Sequence, residues 1–341
     1  MRALGPALAL LLTLGVAGSA AAEPAVVTQD DAIHARAGRD YTRLATLRLG
    51  ESEGEHANAV TASGKVVLTS YDDRGSHFRL FDPETGRRTY LPAPGTYPTM
   101  IDISAPTIWY DVVDREGLAT VYRFDRSSKR MRSFRLPDAS QHRGDVYRVI
   151  GVQGRTVWYT SGPRQEHSSE DVWSVRFGRP HSLAAQGRKL GNPTFVDGVL
   201  AWSEYGIRGP SHFATRELAT GEVTRTELPD GCAPRGDRVQ SSDARRFVLI
   251  LNCDLPEIEA AIIDRTGEVT TIIQVAMDDG SLGTTDRGVF FYDLFYDVAT
   301  GRLLDYSDIG NSEIVPAGGP GDHPVQVWPQ RDGRALVVRL K

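Results

Sequence analysis

The chain has 341 residues, with 39 lysines and arginines against 44 aspartates and glutamates, a formal net charge of −5. Hydrophobic residues make up 40% and charged residues 24%, a globular balance that excludes a disordered chain. The 34 glycines and 19 prolines are scattered, which excludes collagen-like and low-complexity classes, and the acidic balance argues against a nucleic-acid partner.

Residues 1–22 read as a signal peptide rather than structure. Arg2 supplies the positive start, Ala7 to Val16 an apolar core too short to span a bilayer, and Ala20-Ala21-Ala22 a small-residue cleavage site. An uncleaved anchor is the alternative. The expected product begins near Glu23 and is secreted or periplasmic. No later stretch is apolar enough for a transmembrane segment, and residues 23–341 are expected to form a single domain.

From there the chain repeats. Runs rich in β-branched and aromatic residues begin at Val66, Ile108, Val157, Val199, Phe247, Val289 and Leu336, spaced 42 to 49 residues apart. A strand is expected before each run: His56 to Thr61, Pro98 to Ile103, Tyr147 to Val152, Asn192 to Val196, Asp237 to Ser241, Ser281 to Thr285 and Val325 to Trp328. A third strand, a tight turn and a fourth follow, as in His77 to Phe81, the turn Asp82-Pro83-Glu84-Thr85-Gly86, and Arg87 to Leu91. Turns ending in glycine recur at Gly221, Gly267 and Gly301, where glycine supplies the positive φ that such hairpins need.

Four short antiparallel strands per repeat make the blade of a β-propeller, which closes into a ring to bury blade faces and protect sheet edges. The predicted fold is all-β: a seven-bladed propeller, six and eight being the neighbouring counts. The last repeat ends at Lys341 after two expected strands. The missing two are expected from the other terminus, Ala32 to Arg36 and Tyr41 to Leu49, so that both chain ends share the last blade.

The blade pattern, with Val157-Trp158-Tyr159-Thr160 and the Asp82-to-Gly86 turn before Leu91-Pro92, resembles bacterial secreted propellers with TolB-type and virginiamycin-lyase-like repeats. The resemblance implies the fold and transfers no catalytic residue.

Cys232 and Cys253 fall at the same rim of the fifth repeat, and one disulfide is expected, two buried thiols being the alternative. That rim gathers the candidate site residues. Inner-strand entrances carry His56, Tyr147, Asn192, Asp237 and His323. Second-strand ends carry Tyr71, Asp72, Glu204, Tyr205, Asp254 and Asp293. Oxygen ligands in this set would suit Ca or Mg. His56, His323 and Glu204 are the candidate acid–base residues, and aromatics beside carboxylates suit sugars. No nucleophile elbow, phosphate loop or dinucleotide fingerprint is present in the sequence. The expected function is therefore a monomeric, non-enzymatic scaffold presenting one rim to a protein or glycan. A lyase or hydrolase with a His/carboxylate site, with or without a divalent metal, is the alternative.

Overall fold

The computed structural model describes residues 23–49, 55–95, 98–104, 107–113, 119–136, 145–163, 171–176, 182–185, 190–204, 211–234, 239, 245–253, 258–275, 283–309, 317–318, 324–330 and 333–341. They form seven antiparallel sheets, one per repeat. Blade I consists of His56–Val60, Val66–Asp72, Gly75–Phe81 and Arg88–Leu91. Blade II consists of Thr99–Ser104, Thr107–Val113, Ala119–Asp125 and Arg130–Arg135. Blade III consists of Asp145–Gln153, Thr156–Pro163, Asp171–Arg176 and Ser182–Ala185. Blade IV consists of Leu190–Val196, Val199–Glu204, His212–Glu217 and Val223–Glu227. Blade V follows with Ala233–Pro234, Arg246–Asn252, Ile258–Asp264 and Val269–Val275. Blade VI follows with Gly283–Thr284, Gly288–Phe291, Leu294–Asp297 and Arg302–Asp305. In each blade these run from the ring axis outward, and the innermost strands touch at the II–III, III–IV, VI–VII and VII–I boundaries.

The second strands are buried on both faces because they sit between two neighbouring blades; Val66 to Ser70 and Phe247 to Leu251 are buried throughout. Seven apolar clusters result. In blade order from I–II they are typified by Phe78 with Tyr110, Trp109 with Tyr159, Val172 with Trp202, Phe213 with Phe247, Ile250 with Phe291, Phe290 with Trp328, and Val327 with Val66. The last joins blade VII to blade I, so the ring is closed. The tryptophans serve this packing: Trp158 stacks on Phe195 across the III–IV boundary, with ring centroids 4.5 Å apart.

Blade VII departs from expectation in one respect. Its strands are Ala317–Gly318, Val325–Pro329, Arg334–Leu340 and, outermost, Tyr41–Arg48. Both chain ends share it, but three strands come from the C-terminal side and one from the N-terminal side. Val325 to Pro329 is buried on both faces like the other second strands, so the run from Leu336 is the third strand, not the second. One place then remains. Tyr41 pairs with Leu340 and Arg48 with Arg334 to fill it.

The segment expected at Ala32 to Arg36 goes elsewhere: Ile33–His34 lies parallel to the outer strand of blade VI, and Ala25–Thr28 lies parallel to that of blade V. Residues 25–48 thus run as a strap over the outer edges of three consecutive blades. Strand edges left open invite pairing with other chains, and the strap covers them.

The turn chemistry read from the sequence is present. Asp82 Oδ1 accepts hydrogen bonds from the Glu84 and Thr85 amides, and Gly86 closes the turn with φ of 69°. Gly221, Gly267 and Gly301 do the same in other blades, whereas in blade II the position is taken by Lys129, at φ of 56°.

Candidate functional site

The upper rim carries the loops that enter the innermost strands and those that join second to third strands. Among the described residues, blade I builds it most completely. His56 pairs with Thr69 across the sheet, and Tyr71 lies two residues beyond Thr69, on the same face. The His56 ring therefore stacks with Tyr71, centroids 5.6 Å apart and planes inclined by 20°. Tyr71 remains 47% exposed. A phenol ring left open beside an imidazole at a rim is a flat apolar platform with polar edges.

On the other face of the same hairpin, Ser70 lies opposite His77 and Asp72 opposite Gly75. His77 Nε2 lies 2.9 Å from Asp72 Oδ1, which also accepts from the Arg74 and Gly75 amides. The His77 contact and those amides hold the Asp72 carboxyl below the usual range, so it stays a carboxylate. Ser70 Oγ on this face, and Ser76 Oγ on the face of Tyr71, are buried and make no hydrogen bond among the described residues. His77 escaped the sequence reading, although the signal was there. The turn Asp73-Arg74 folds the hairpin back at once and brings His77 to Asp72.

The other candidates are dispersed. Glu204 is on blade IV, away from His56 on blade I. Its carboxylate accepts from Trp202 Nε1 at 3.0 Å and from Arg225 Nε at 3.3 Å, so it serves its own blade. Asp293 sits in the two-residue turn between Phe291 and Leu294 of blade VI. Burial pushes its carboxyl upward, its own backbone hydrogen bond opposes this, and nearby Asp305 adds to the rise. Tyr147 falls within the innermost strand of blade III and Asn192 within that of blade IV. Tyr205, Asp237, Asp254 and His323 lie outside the described residues. The strand expected to start at Val325, just after His323, is the second strand of its blade rather than the innermost.

Cys232 and Cys253 form a disulfide with Cα atoms 4.1 Å apart. Ala233 pairs with Asn252, so the two cysteines are the next rung of that ladder, at the upper rim of blade V. Among the described residues no group of three or more His, Cys, Asp or Glu side chains is placed to hold a metal ion. No helix among them is long and apolar enough to cross a membrane.

No family model and no curated protein matches the chain. Its fold is similar to that of oligogalacturonate lyase from Vibrio parahaemolyticus: 11% identity over 89% of this chain and 98% of that one, TM-score 0.54. It is also similar to TolB from Acinetobacter baumannii, at 14% identity over 67% of this chain and TM-score 0.44, and here the alignment spans only 59% of the TolB chain. A prolyl endopeptidase aligns at 13% identity over 82% of this chain and 47% of that one, TM-score 0.49. At these identities the likeness is one of fold alone.

Proposed function

We propose that this protein is an exported, monomeric, non-enzymatic propeller scaffold whose upper rim, centred on His56 and Tyr71 of blade I, binds a protein or glycan partner. One observation carries the reading: the exposed Tyr71 ring, backed by His56 and followed in the chain by the ionised Asp72 on the opposite face of the hairpin, stands at the rim on a hairpin whose base is locked in the ring. Aromatic faces beside carboxylates suit the apolar face and hydroxyl edge of a sugar. Rigid scaffolds commonly carry recognition on such rim loops. The Cys232–Cys253 bridge supports export, since disulfides persist in oxidising compartments. So does the leader-like segment of residues 1–22.

The alternative of a His/carboxylate lyase or hydrolase draws support from fold likeness to a lyase, but a shared fold does not bring a shared reaction. It also needs an acid and a base facing one substrate. The carboxylate of Glu204 is already engaged by Trp202 and Arg225 on a different blade from His56.

A glycan array, paired with cross-linking capture from the native extracytoplasmic fraction, tests the proposal. Binding that Tyr71→Ala and His56→Ala abolish with unchanged melting temperature supports it. Binding indifferent to both substitutions, or turnover of a bound glycan that depends on His56, contradicts it.

A further inference from the structure

The lower rim, on the opposite face of the ring, carries a second kind of chemistry. The sequence from Arg123 to Arg135 folds into the outer hairpin of blade II, and its register is decisive. Arg123 lies directly opposite Arg132, and Asp125 opposite Arg130. Residues two apart on a strand share a face, so all four project to one side. Arg155, from the turn between the first two strands of blade III, meets them across the blade boundary. With Ser128 they line a polar pocket of about 160 Å³.

Four guanidiniums and one carboxylate leave this pocket with a net charge of +3 in a chain whose overall charge is −5. Like charges placed directly opposite on a sheet are destabilising, so the arrangement needs a reason. Among the described residues no carboxylate lies within ion-pair distance of any of the four arginines. Asp125 is occupied by its own turn, where its Oδ1 accepts from the Ser127 amide and hydroxyl and the Ser128 amide. Arg123 forms the floor. Its guanidinium lies over the Trp109 ring, 5.7 Å from the centroid, and its Nε is buried without a hydrogen-bond partner among the described residues.

Positive charge on an outer strand alone would be explained by protection of the sheet edge. That explanation does not cover Arg123, which is on the third strand, or Arg155, which belongs to the next blade. Convergence from two strands and a neighbouring blade's turn is what a multiply charged oxyanion requires, because planar guanidinium forks pair with tetrahedral oxyanions through parallel hydrogen bonds. The pocket is smaller than the several hundred Å³ of a site that encloses an organic ligand. It therefore fits one anionic group rather than a whole oligosaccharide. A compact, local pocket in an acidic protein is also unlike the continuous basic stripe that follows a nucleic-acid backbone.

We propose that this pocket is a binding site for a phosphate-type oxyanion, with Arg123 at its floor and Arg130, Arg132 and Arg155 around its mouth. The group would be either a free inorganic anion or a phosphate ester whose remainder stays in solvent. The site is independent of the upper rim, so the protein would have one ligand face on each side of the ring.

Isothermal titration of the whole protein with inorganic phosphate, inorganic pyrophosphate, a sugar phosphate and the corresponding sugar sulfate tests this. The expected result is one-to-one binding of a phosphate probe, weakened at least about tenfold by the double variant Arg132→Gln/Arg155→Gln. The same site should weaken as salt rises from about 50 to about 500 mM. Arg132→Lys should recover only part of the affinity, because lysine keeps the charge and loses the fork. Preference for the inorganic probes identifies a free anion as ligand, and preference for the sugar phosphate identifies an ester. Both altered residues are exposed, and if the double variant fails to fold the two single substitutions give the same readout. No binding of any probe at about 5 mM, a weak limit for a dedicated site, overturns the proposal. So does binding that the arginine variants leave unchanged, or an equal loss in the control Arg87→Gln on blade I.

Discussion

Arg88 Nη2 donates a hydrogen bond to the backbone carbonyl of Arg48 at 3.0 Å, which ties the outer strand of blade I to the strand that completes blade VII. The same guanidinium reaches Glu55 at 3.3 Å, and Arg79 reaches the other oxygen of that carboxylate at 3.0 Å. Glu55 is almost wholly buried, and each of its carboxyl oxygens is paired with one of the two arginines. Nearby, Arg339 of blade VII pairs with Glu84 of blade I at 3.1 Å. The seam between first and last blades is thus held by polar contacts outside the apolar core that Val66 and Val327 share.

Replacing Glu55 with Gln leaves two guanidiniums facing a neutral group at that seam. Arg88 is partly in solvent, so the loss should fall at or below the lower end of what breaking a buried pair costs, about 2–3 kcal/mol. Urea unfolding of the variant gives the number. An unchanged midpoint would show that the seam does not depend on this carboxylate.

Lys129 occupies the left-handed turn position that glycine fills at 86, 221, 267 and 301. An L-residue with a side chain pays about 1 kcal/mol there. Lys129→Gly should therefore stabilise the protein by about 0.5–1 kcal/mol, net of glycine's greater freedom in the unfolded chain. A rise in melting temperature checks this. Lys129 does not line the arginine pocket, so anion binding should survive the change.

Asp293 has a raised carboxyl pKa, so the folded state holds its proton more tightly than the unfolded state does. Its contribution is fully present below the unfolded value and is lost as pH rises through the folded one. At neutral pH the ionised, half-buried carboxylate is a liability. Asp293→Asn should therefore raise the melting temperature at neutral pH, with the gain shrinking as pH falls through the raised folded value and lost below the unfolded one, about 4. A gain that is the same at both ends of that range would contradict the assignment.

The Cys232–Cys253 bridge closes a loop with a sequence separation of 21. Cross-links of this span stabilise by roughly 3 kcal/mol, mainly by restricting the unfolded chain. The double variant Cys232→Ser/Cys253→Ser should lose about that much in chemical unfolding. The His56–Tyr71 platform, on blade I, should retain whatever ligand it binds.

The number of blades was legible because each second strand must be apolar on both faces: six of the seven runs read from the sequence are second strands, and the seventh, from Leu336, is the third strand of blade VII, next to the second. Turn residues were legible for the same local reason: Asp82 and Gly86 act within five residues of chain. The strap was not. Ile33 and Val26 are exposed and edge-paired, so they carry no alternation of buried and open positions. Blade VII was misread by one strand because Val325 to Pro329 and Arg334 to Leu340 are both apolar, and periodicity cannot order two such neighbours.

The site was legible in part. His56, Tyr71 and Asp72 could be placed at one rim from strand order. That Glu204 turns to Arg225 depends on packing within blade IV. The arginine pocket depends on pairing Arg123 with Arg132, which the hairpin turn at Asp125 to Lys129 dictates once it is folded back.

Ring closure by the pairing of Tyr41–Arg48 with Arg334–Leu340 is the premise beneath both ligand faces, and a cross-link measures it directly. Thr42 and Arg339 are partners in that ladder. Directly opposed side chains on neighbouring strands have Cβ atoms about 4.5–5.5 Å apart, close enough for a disulfide to form with slight adjustment. The variant Thr42→Cys/Arg339→Cys, oxidised as the native protein and mapped by peptide mass spectrometry, should give an intramolecular bond between those two positions with the Cys232–Cys253 bond intact. Free thiols at both positions, or bonds formed only between separate molecules, would contradict a closed ring.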